Sequence, residues 1–264
     1  MTLRSMWKSV ATNPANEGRT TRQFAHAIAF QLRWRTFHMA TKTRIGGHSF
    51  MWAHGDSWGS KAVVYGNPPD VEMFKWSTAL SPGDLFVDIG ANVGCYTLWA
   101  LDLGAQVVAF EPDRLARERL ERNLDLNGYA AEIVPAAASD SLGRAFFTQG
   151  KDTMNSLAEA GVGRVEVPTT TLDAVLGRRY AAGVKIDVEG HERRVLEGAR
   201  QALADRRIEL LQLEWNDSCE SALGESRAPI AEMLEGYGYR LFRVDGTPVL
   251  GDVYGPDVFA SRHA

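Results

Sequence analysis

Leu85-Phe86-Val87-Asp88-Ile89-Gly90-Ala91-Asn92-Val93-Gly94 is an apolar run that meets a carboxylate and breaks into a glycine-bearing turn. The run predicts a buried strand, and the apolar residues from Val93 to Leu103 predict the helix after it. Glycines at such a turn permit positive φ and let a ligand approach the backbone. The helix N-terminus beyond favours a carboxylate or a phosphate. A Gly-x-Asn-x-Gly turn occurs at many tight strand–helix junctions, so alone it has little specificity.

The same alternation continues downstream. Gln106 to Phe110 reads as a second strand, and Leu115 to Asn127 as a helix with Ala116, Leu120 and Leu124 on one face. Ala131 to Ala136 reads as a third strand, Val184 to Val188 as a fourth and Ile208 to Leu213 as a fifth. Between the last two, Val195, Leu196, Ala199, Ala202 and Leu203 mark one core-facing helix. A helix through Ile230, Met233, Leu234 and Tyr237 follows, and Tyr239 to Val244 and Val258 to Ala260 close the pattern. Strands alternating with helices imply an α/β fold with a mostly parallel sheet of about seven strands. In such sheets ligands bind beyond the carboxyl ends of the strands, where strand order reverses. Gly143 to Val167 reads as an inserted hairpin at that edge, able to shape a pocket.

Residues 1–80 form an N-terminal extension ahead of a main domain at 81–264. Phe24 to Phe37 has apolar side chains at helical spacing, which suits a docked structural helix, a lid or a dimer element. Segments 42–54 and 60–65 look strand-like around Gly46-Gly47 and Gly55-Asp56. Asn67-Pro68-Pro69-Asp70 is expected to start a helix that runs to Leu80.

Of the 264 residues, 45% are hydrophobic and 23% charged, as in ordinary globular chains, and the net charge of −4 gives no whole-chain case for nucleic-acid binding. Cys95 and Cys219 have no CxxC spacing, so a disulfide framework or zinc knuckle is not supported. No apolar run reaches membrane-spanning length, and Met1 to Arg22 lacks the apolar stretch of a secretory signal. A cytoplasmic setting is the expectation.

The strand ends carry the chemistry. Glu111 follows the second strand, where a carboxylate can accept both hydroxyls of a ribose. Ser139-Asp140 follows the third, where a carboxylate could take the amino group of an adenine, although a lone acid at a strand end is more often a cap. Asp88 would repel a pyrophosphate but suits the ammonium of a zwitterion. That favours adenosylmethionine over a dinucleotide. The fourth strand delivers Lys185-Ile186-Asp187-Val188-Glu189-Gly190-His191-Glu192 to the same edge, and the fifth delivers Glu214-Trp215-Asn216. His191 titrates near neutrality when unperturbed and is a candidate general base, and Asp187 and Glu214 are further catalytic candidates. Glu189 and Glu192 also suit a helix start. Asp187, Glu214 and Asn216 could hold Mg²⁺, though a histidine base makes a metal unnecessary. His54, Asp56, Trp58 and Asn155 could line the acceptor side or be plain loop residues.

Taken together, VDIGANVGCYTLWA (87–100), AFEPD (109–113), LERNLDLNG (120–128), AAASD (136–140), VPTTTLD (167–173), VKIDVEGHE (184–192) and LLQLEW (210–215) resemble the FkbM family of class I methyltransferases. The resemblance covers roughly Pro82 to Trp215. It implies a Rossmann-like sheet, adenosylmethionine as methyl donor, and usually O-methylation of a hydroxyl on a sugar, polyketide or other secondary metabolite. By match to the family motifs, Gly90, Asn92 and Gly94 form the methionine-binding turn and Asp88 the acid before it. Glu111 is the ribose ligand and Asp140, with Ser139, the adenine side. Alternatives are a nucleotide-binding oxidoreductase, which the lack of GxGxxG and of a Tyr-x-x-x-Lys pair disfavours, and a non-catalytic adenosylmethionine-binding module. The expected partner is a small hydroxylated acceptor, without nucleic acid, with a homodimer as an open option.

Overall fold

A seven-stranded sheet forms the centre of the computed structural model, which describes residues 2–148, 157–158, 164–217, 226–249 and 254–263. The expectations placed on Asn155 and Cys219 lie outside the described residues. The chain opens with helices α1 (Leu3–Thr12) and α2 (Thr20–Phe37), a hairpin of β1 (Thr41–Ile45) and β2 (Ser49–Ala53), then α3 (Trp58–Tyr65) and α4 (Met73–Ala79). The sheet units follow as β3 (Leu85–Ile89), α5 (Cys95–Asp102), β4 (Gln106–Phe110), α6 (Arg114–Asn127) and β5 (Glu132–Val134). After an inserted sheet come α7 (Leu172–Leu176), β10 (Ala181–Ile186), α8 (Glu192–Glu197), α9 (Arg200–Ala204) and β11 (Ile208–Leu213). Helix α10 (Ala228–Gly236), β12 (Arg240–Phe242) and β13 (Val258–Ser261) complete it.

Spatially the order is β12-β13-β11-β10-β3-β4-β5, parallel from β11 to β5, with β13 antiparallel to both neighbours. Strand order reverses between β3 and β10, which fixes the crevice above Asp88 and Asp187 as the ligand site of such a sheet. One sheet face buries Val87, Ile89, Val184 and Leu211 under α7 to α10. The other buries Phe86, Val107 and Ala109 under α4, α5 and α6. Trp76 of α4 sits edge-on to Phe86 with centroids 4.8 Å apart and donates through Nε1 to Gln212 Oε1 at 2.5 Å. Helix α4 thus lies before the division expected at residue 80 and packs into the sheet's core. Helices α1 to α3 share a smaller cluster around Val10, Phe30 and Val64.

Four expectations need correction. Segment 60–65 is helical: Ser57 caps it by accepting from the Ser60 N–H, and the β-branched pair Val63–Val64 is buried on a helix. The helix expected from Asn67 starts only at Met73. The Asn67 side-chain amide is tied to both backbone groups of Gly46, and the Pro68 carbonyl accepts from the Asn13 amide, contacts that anchor this stretch to the hairpin and the first helix instead. The helix expected through Val195 to Leu203 is two short ones, broken at Gly198, where the Ser139 carbonyl comes within 2.0 Å of where a Cβ would stand. Pro135 ends β5 at Val134, and a proline cannot donate to a ladder. Residues 137–138 instead form β6 of a second sheet with β7 (Gly143–Thr148), β8 (Leu157–Ala158) and β9 (Arg164–Thr170), in the order β6-β9-β7-β8. The inserted hairpin is therefore present as β7 and β9, within a larger sheet. Among the described residues no helix is long and apolar enough to cross a membrane.

Candidate active site

A cavity of about 1020 Å³ opens at the reversal point, lined by the ends of β3, β4, β10 and β11 and by loops from both flanks of the sheet. Strand β3 delivers Asp88, 1% exposed, whose Oδ2 accepts from Thr97 Oγ1 at 2.7 Å. Its Oδ1 is buried and has no hydrogen-bond partner among the described residues. Burial pushes this carboxyl up, while Lys185 and Thr97 pull it down.

The turn that follows is built by close backbone approach. Gly90 has φ +82°, and a Cβ there would stand 1.9 Å from the Asp187 carbonyl. Asn92 also takes positive φ; its Oδ1 accepts from the Val93 N–H at 2.7 Å. Gly90 and Asn92 line the cavity. Gly94 does not: it caps α5 in the left-handed region, and a Cβ there would meet Leu120 at 2.4 Å. Its glycine therefore serves helix packing.

Glu111 at the end of β4 is 5% exposed. One oxygen accepts from the Asn92 N–H and the other from the Asp113 N–H, both at 2.7 Å. Each carboxylate oxygen keeps a lone pair for a further donor. Burial pushes the group up to about 7, against the pull of those two donors. Ser139 and Asp140 are outside the cavity wall, because β5 ends before them. Asp140 is exposed and accepts from Ser141 Oγ at 2.8 Å. Ala136 to Ala138, with Pro112, Asp113 and Leu115, line that end of the cavity instead.

On the β10 side, Lys185 is 3% exposed, donates to Asp187 Oδ2 at 2.9 Å and lies 4.6 Å from the Tyr96 ring centre. Burial opposes its charge, but Asp187 and Asp88 outweigh burial and hold the ammonium above its usual range. His191 is buried, and its Nε2 lies 2.9 Å from the Leu157 carbonyl. A carbonyl only accepts, so Nε2 carries the proton and ties β8 of the insert to the cavity wall. Glu192 and Arg227, both wholly buried, pair at 2.5 Å. Glu192 also accepts from the Val188 and Gly190 N–H groups, and Arg227 donates to the Asn216 carbonyl. This ion pair locks the loop after β10 to the loop after β11, which answers the sequence ambiguity about Glu192 in favour of structure.

Burial, then the charges of Asp187 and Glu189, push the Glu214 carboxyl well above the usual carboxylate range. Carboxylate oxygens of Asp187, Glu189 and Glu214 lie within 4.8 Å of one another. Asn216, expected to complete a Mg²⁺ set, turns its amide NH2 to Glu214 instead. Sequence reasoning missed Asp70, Glu72, Tyr96 and Asp257, all on the cavity wall. Trp58 opens α3, Asp56 pairs with Arg119 at 2.8 Å, and His54 stacks edge-on to Trp34.

An open sheet in this order, with a cavity at its reversal point and acids on successive strand ends, defines a Rossmann-like class I methyltransferase fold. The chain belongs to the FkbM methyltransferase family: the Methyltransferase FkbM domain matches residues 88–241. It is 28% identical over 198 residues to the 31-O-demethyl-FK506 methyltransferase FkbM of Streptomyces tacrolimicus, covering 61% of this chain and 74% of that one. It is 36% identical over 84 residues to the AMB antimetabolite synthetase AmbE of Pseudomonas aeruginosa, spanning 30% of this chain and 4% of that protein. Among solved structures, a TehB-like SAM-dependent methyltransferase from Corynebacterium glutamicum aligns with TM-score 0.46 and 12% identity, over 90% of this chain and 98% of that one. The protein is an S-adenosylmethionine-dependent methyltransferase, and the oxidoreductase alternative gives way to that assignment.

Proposed function

We propose that the enzyme transfers the methyl group to a hydroxyl of a small molecule. The Lys185–Asp187 pair carries this reading, because it places a fixed carboxylate in one cavity with Asp88, Gly90 and Glu111. The O-methyl character of the FkbM relative's name points the same way.

The residues fit the donor. Glu111 has lone pairs left for the two ribose hydroxyls, and the orphaned Oδ1 of Asp88 suits the ammonium of the amino-acid tail. The Gly90–Asn92 backbone borders the tail's place, and Pro112, Asp113 and the small residues Ala136 to Ala138 leave room for an adenine. When bound, adenosylmethionine supplies an electrophilic methyl carbon on a sulfonium.

Asp187 keeps one oxygen on Lys185, and its other oxygen would accept the proton of the acceptor hydroxyl. Glu214 holds its proton at neutral pH and serves as a hydrogen-bond donor rather than a base. His191 orients the insert through Leu157. Methyl transfer from labelled adenosylmethionine to a hydroxylated panel, with the new methyl located by NMR, tests the reading. Label on oxygen supports it; label only on carbon or nitrogen, or adenosylhomocysteine binding with no transfer, overturns it.

A further inference from the structure

The cavity has an unusual charge balance. Among the described residues ten carboxyl side chains line its donor and acceptor sides against three cationic ones, Lys61, Lys185 and Arg119, and Glu214, one of the ten, is pushed toward its neutral form. Arg119 is already held by Asp56, and Lys185 by Asp187. Adenosylmethionine carries a net charge of only +1, so bound donor leaves a large negative surplus facing the acceptor.

Asp257 and Asp70 shape that surplus, and both lie outside residues 88–241 that match the family. Gln212, wholly buried, donates to Asp257 Oδ2 at 2.7 Å and to the Tyr96 hydroxyl at 3.0 Å, while its own oxygen accepts from Trp76. Every polar atom of this amide is used, so Asp257 and Tyr96 stand in fixed positions, and the Tyr96 hydroxyl eases the rise of the Asp70 carboxyl. Although Asp70 keeps solvent-exposed surface, loss of water around its carboxyl and the Glu72 charge push it up to about 6. Burial and Asp187 push Asp257 up to about 7. Deeper in, with Asp88 Oδ1 given to the donor's ammonium, the buried Glu214 Oε2 has no hydrogen-bond partner among the described residues.

We infer that the acceptor carries a protonated amine near its hydroxyl, as an amino sugar or amino alcohol does, and that Asp70 and Asp257 select it. The inference rests on the methyl-transfer reading above and names the substrate class of that same site. A neutral polyol leaves the surplus uncompensated, and a phosphorylated or nucleic-acid acceptor adds like charge to it. An ammonium offers three donors to surrounding carboxylates. At Asp187, Glu189 and Glu214, Lys185 already holds one Asp187 oxygen and the Asn216 NH2 one Glu214 oxygen, so a divalent ion there competes with an ammonium for the remaining oxygens.

The test uses the enzyme saturated with adenosylhomocysteine. Binding of a panel of amino sugars, aminocyclitols and amino alcohols is measured by calorimetry, each compound paired with its N-acetyl form; glucosamine 6-phosphate and Mg²⁺ serve as further probes. The expected result is at least one pair whose free amine binds tenfold or more tighter than its N-acetyl form, with that ratio collapsing in Asp70→Asn and Asp257→Asn. Adenosylhomocysteine affinity in the same variants reports an intact fold and donor site. Equal or weaker binding of every free amine, a panel that binds nowhere, tightest binding of the phosphate, or Mg²⁺ binding that abolishes the amine preference overturns the inference. NMR of the product separates the two proposals. A methyl on nitrogen removes the hydroxyl reading while the amine requirement stands. A methyl on the oxygen of an acceptor that binds equally well when N-acetylated removes the amine requirement alone.

Discussion

Protonation of Glu111 should control donor affinity. In the free enzyme its carboxyl titrates at about 7 because burial raises it. Ribose hydroxyls donate to the ionised form, so binding lowers this value and the protonated enzyme must lose a proton to bind. With the free value at 7, the ionised fraction rises from about a tenth at pH 6 to about nine-tenths at pH 8. Adenosylhomocysteine should therefore bind roughly tenfold more weakly at pH 6 than at pH 8, about 1.4 kcal/mol. Calorimetry at both pH values, repeated in buffers of different ionisation enthalpy, reads the affinity and the released proton together. Glu111→Gln should weaken binding by roughly 1.5–3 kcal/mol at pH 8, the range for a charged hydrogen-bonding group, and flatten the pH dependence. An affinity that is equal at pH 6 and pH 8, or a slope that persists in Glu111→Gln, refutes the assignment of Glu111 to the ribose.

Asp187→Asn should cut turnover by about 100-fold or more while adenosylhomocysteine affinity stays within a factor of three; full activity removes it from catalysis. Glu192→Gln leaves the Arg227 charge buried and unpaired and should cost roughly 3–5 kcal/mol in denaturant unfolding, whereas Glu192→Leu with Arg227→Met should cost much less. Gly90→Ala forces a Cβ against the Asp187 carbonyl at positive φ, and a loss of about 3 kcal/mol or more is expected; a stable variant would refute the close approach. Asp257 has a folded value of about 7, above its unfolded one, so the folded state binds more protons between about pH 4 and 7, and the buried charge destabilises it as pH rises through that window. Asp257→Asn should accordingly raise the melting temperature more at pH 8 than at pH 5.

What was legible in the sequence is what a single strand and its turn encode. Asp88, Gly90, Asn92 and Glu111 are legible as cavity-lining residues because a buried strand must end somewhere and the polar residue at its exit faces the crevice. Asp187 and Glu214 reach the cavity wall for the same reason. The third strand misled: Ala136 to Ala138 continue the apolar pattern of Ile133–Val134, but Pro135 between them hands the chain to another sheet, so Ser139 and Asp140 miss the cavity. Val63–Val64 looked like strand residues, and the Ser57 cap with burial on two sides made them helical. Asp70, Tyr96 and Asp257 could not be found from local pattern at all. Their association depends on Gln212, whose partners are 116 and 45 residues away in sequence.

The contact between Gly90 and the Asp187 carbonyl, together with the Asp187 N–H donating to the Ile89 carbonyl at 3.1 Å, has a mechanical meaning. The donor's loop and the proposed base are riveted through main chain, so neither can shift without carrying the other. The distance over which the methyl must travel is thereby set by two strands of the scaffold. The walls at Asp70 and Asp257 are free of that constraint. A lineage can exchange them to change its acceptor without detuning the alignment on which transfer depends.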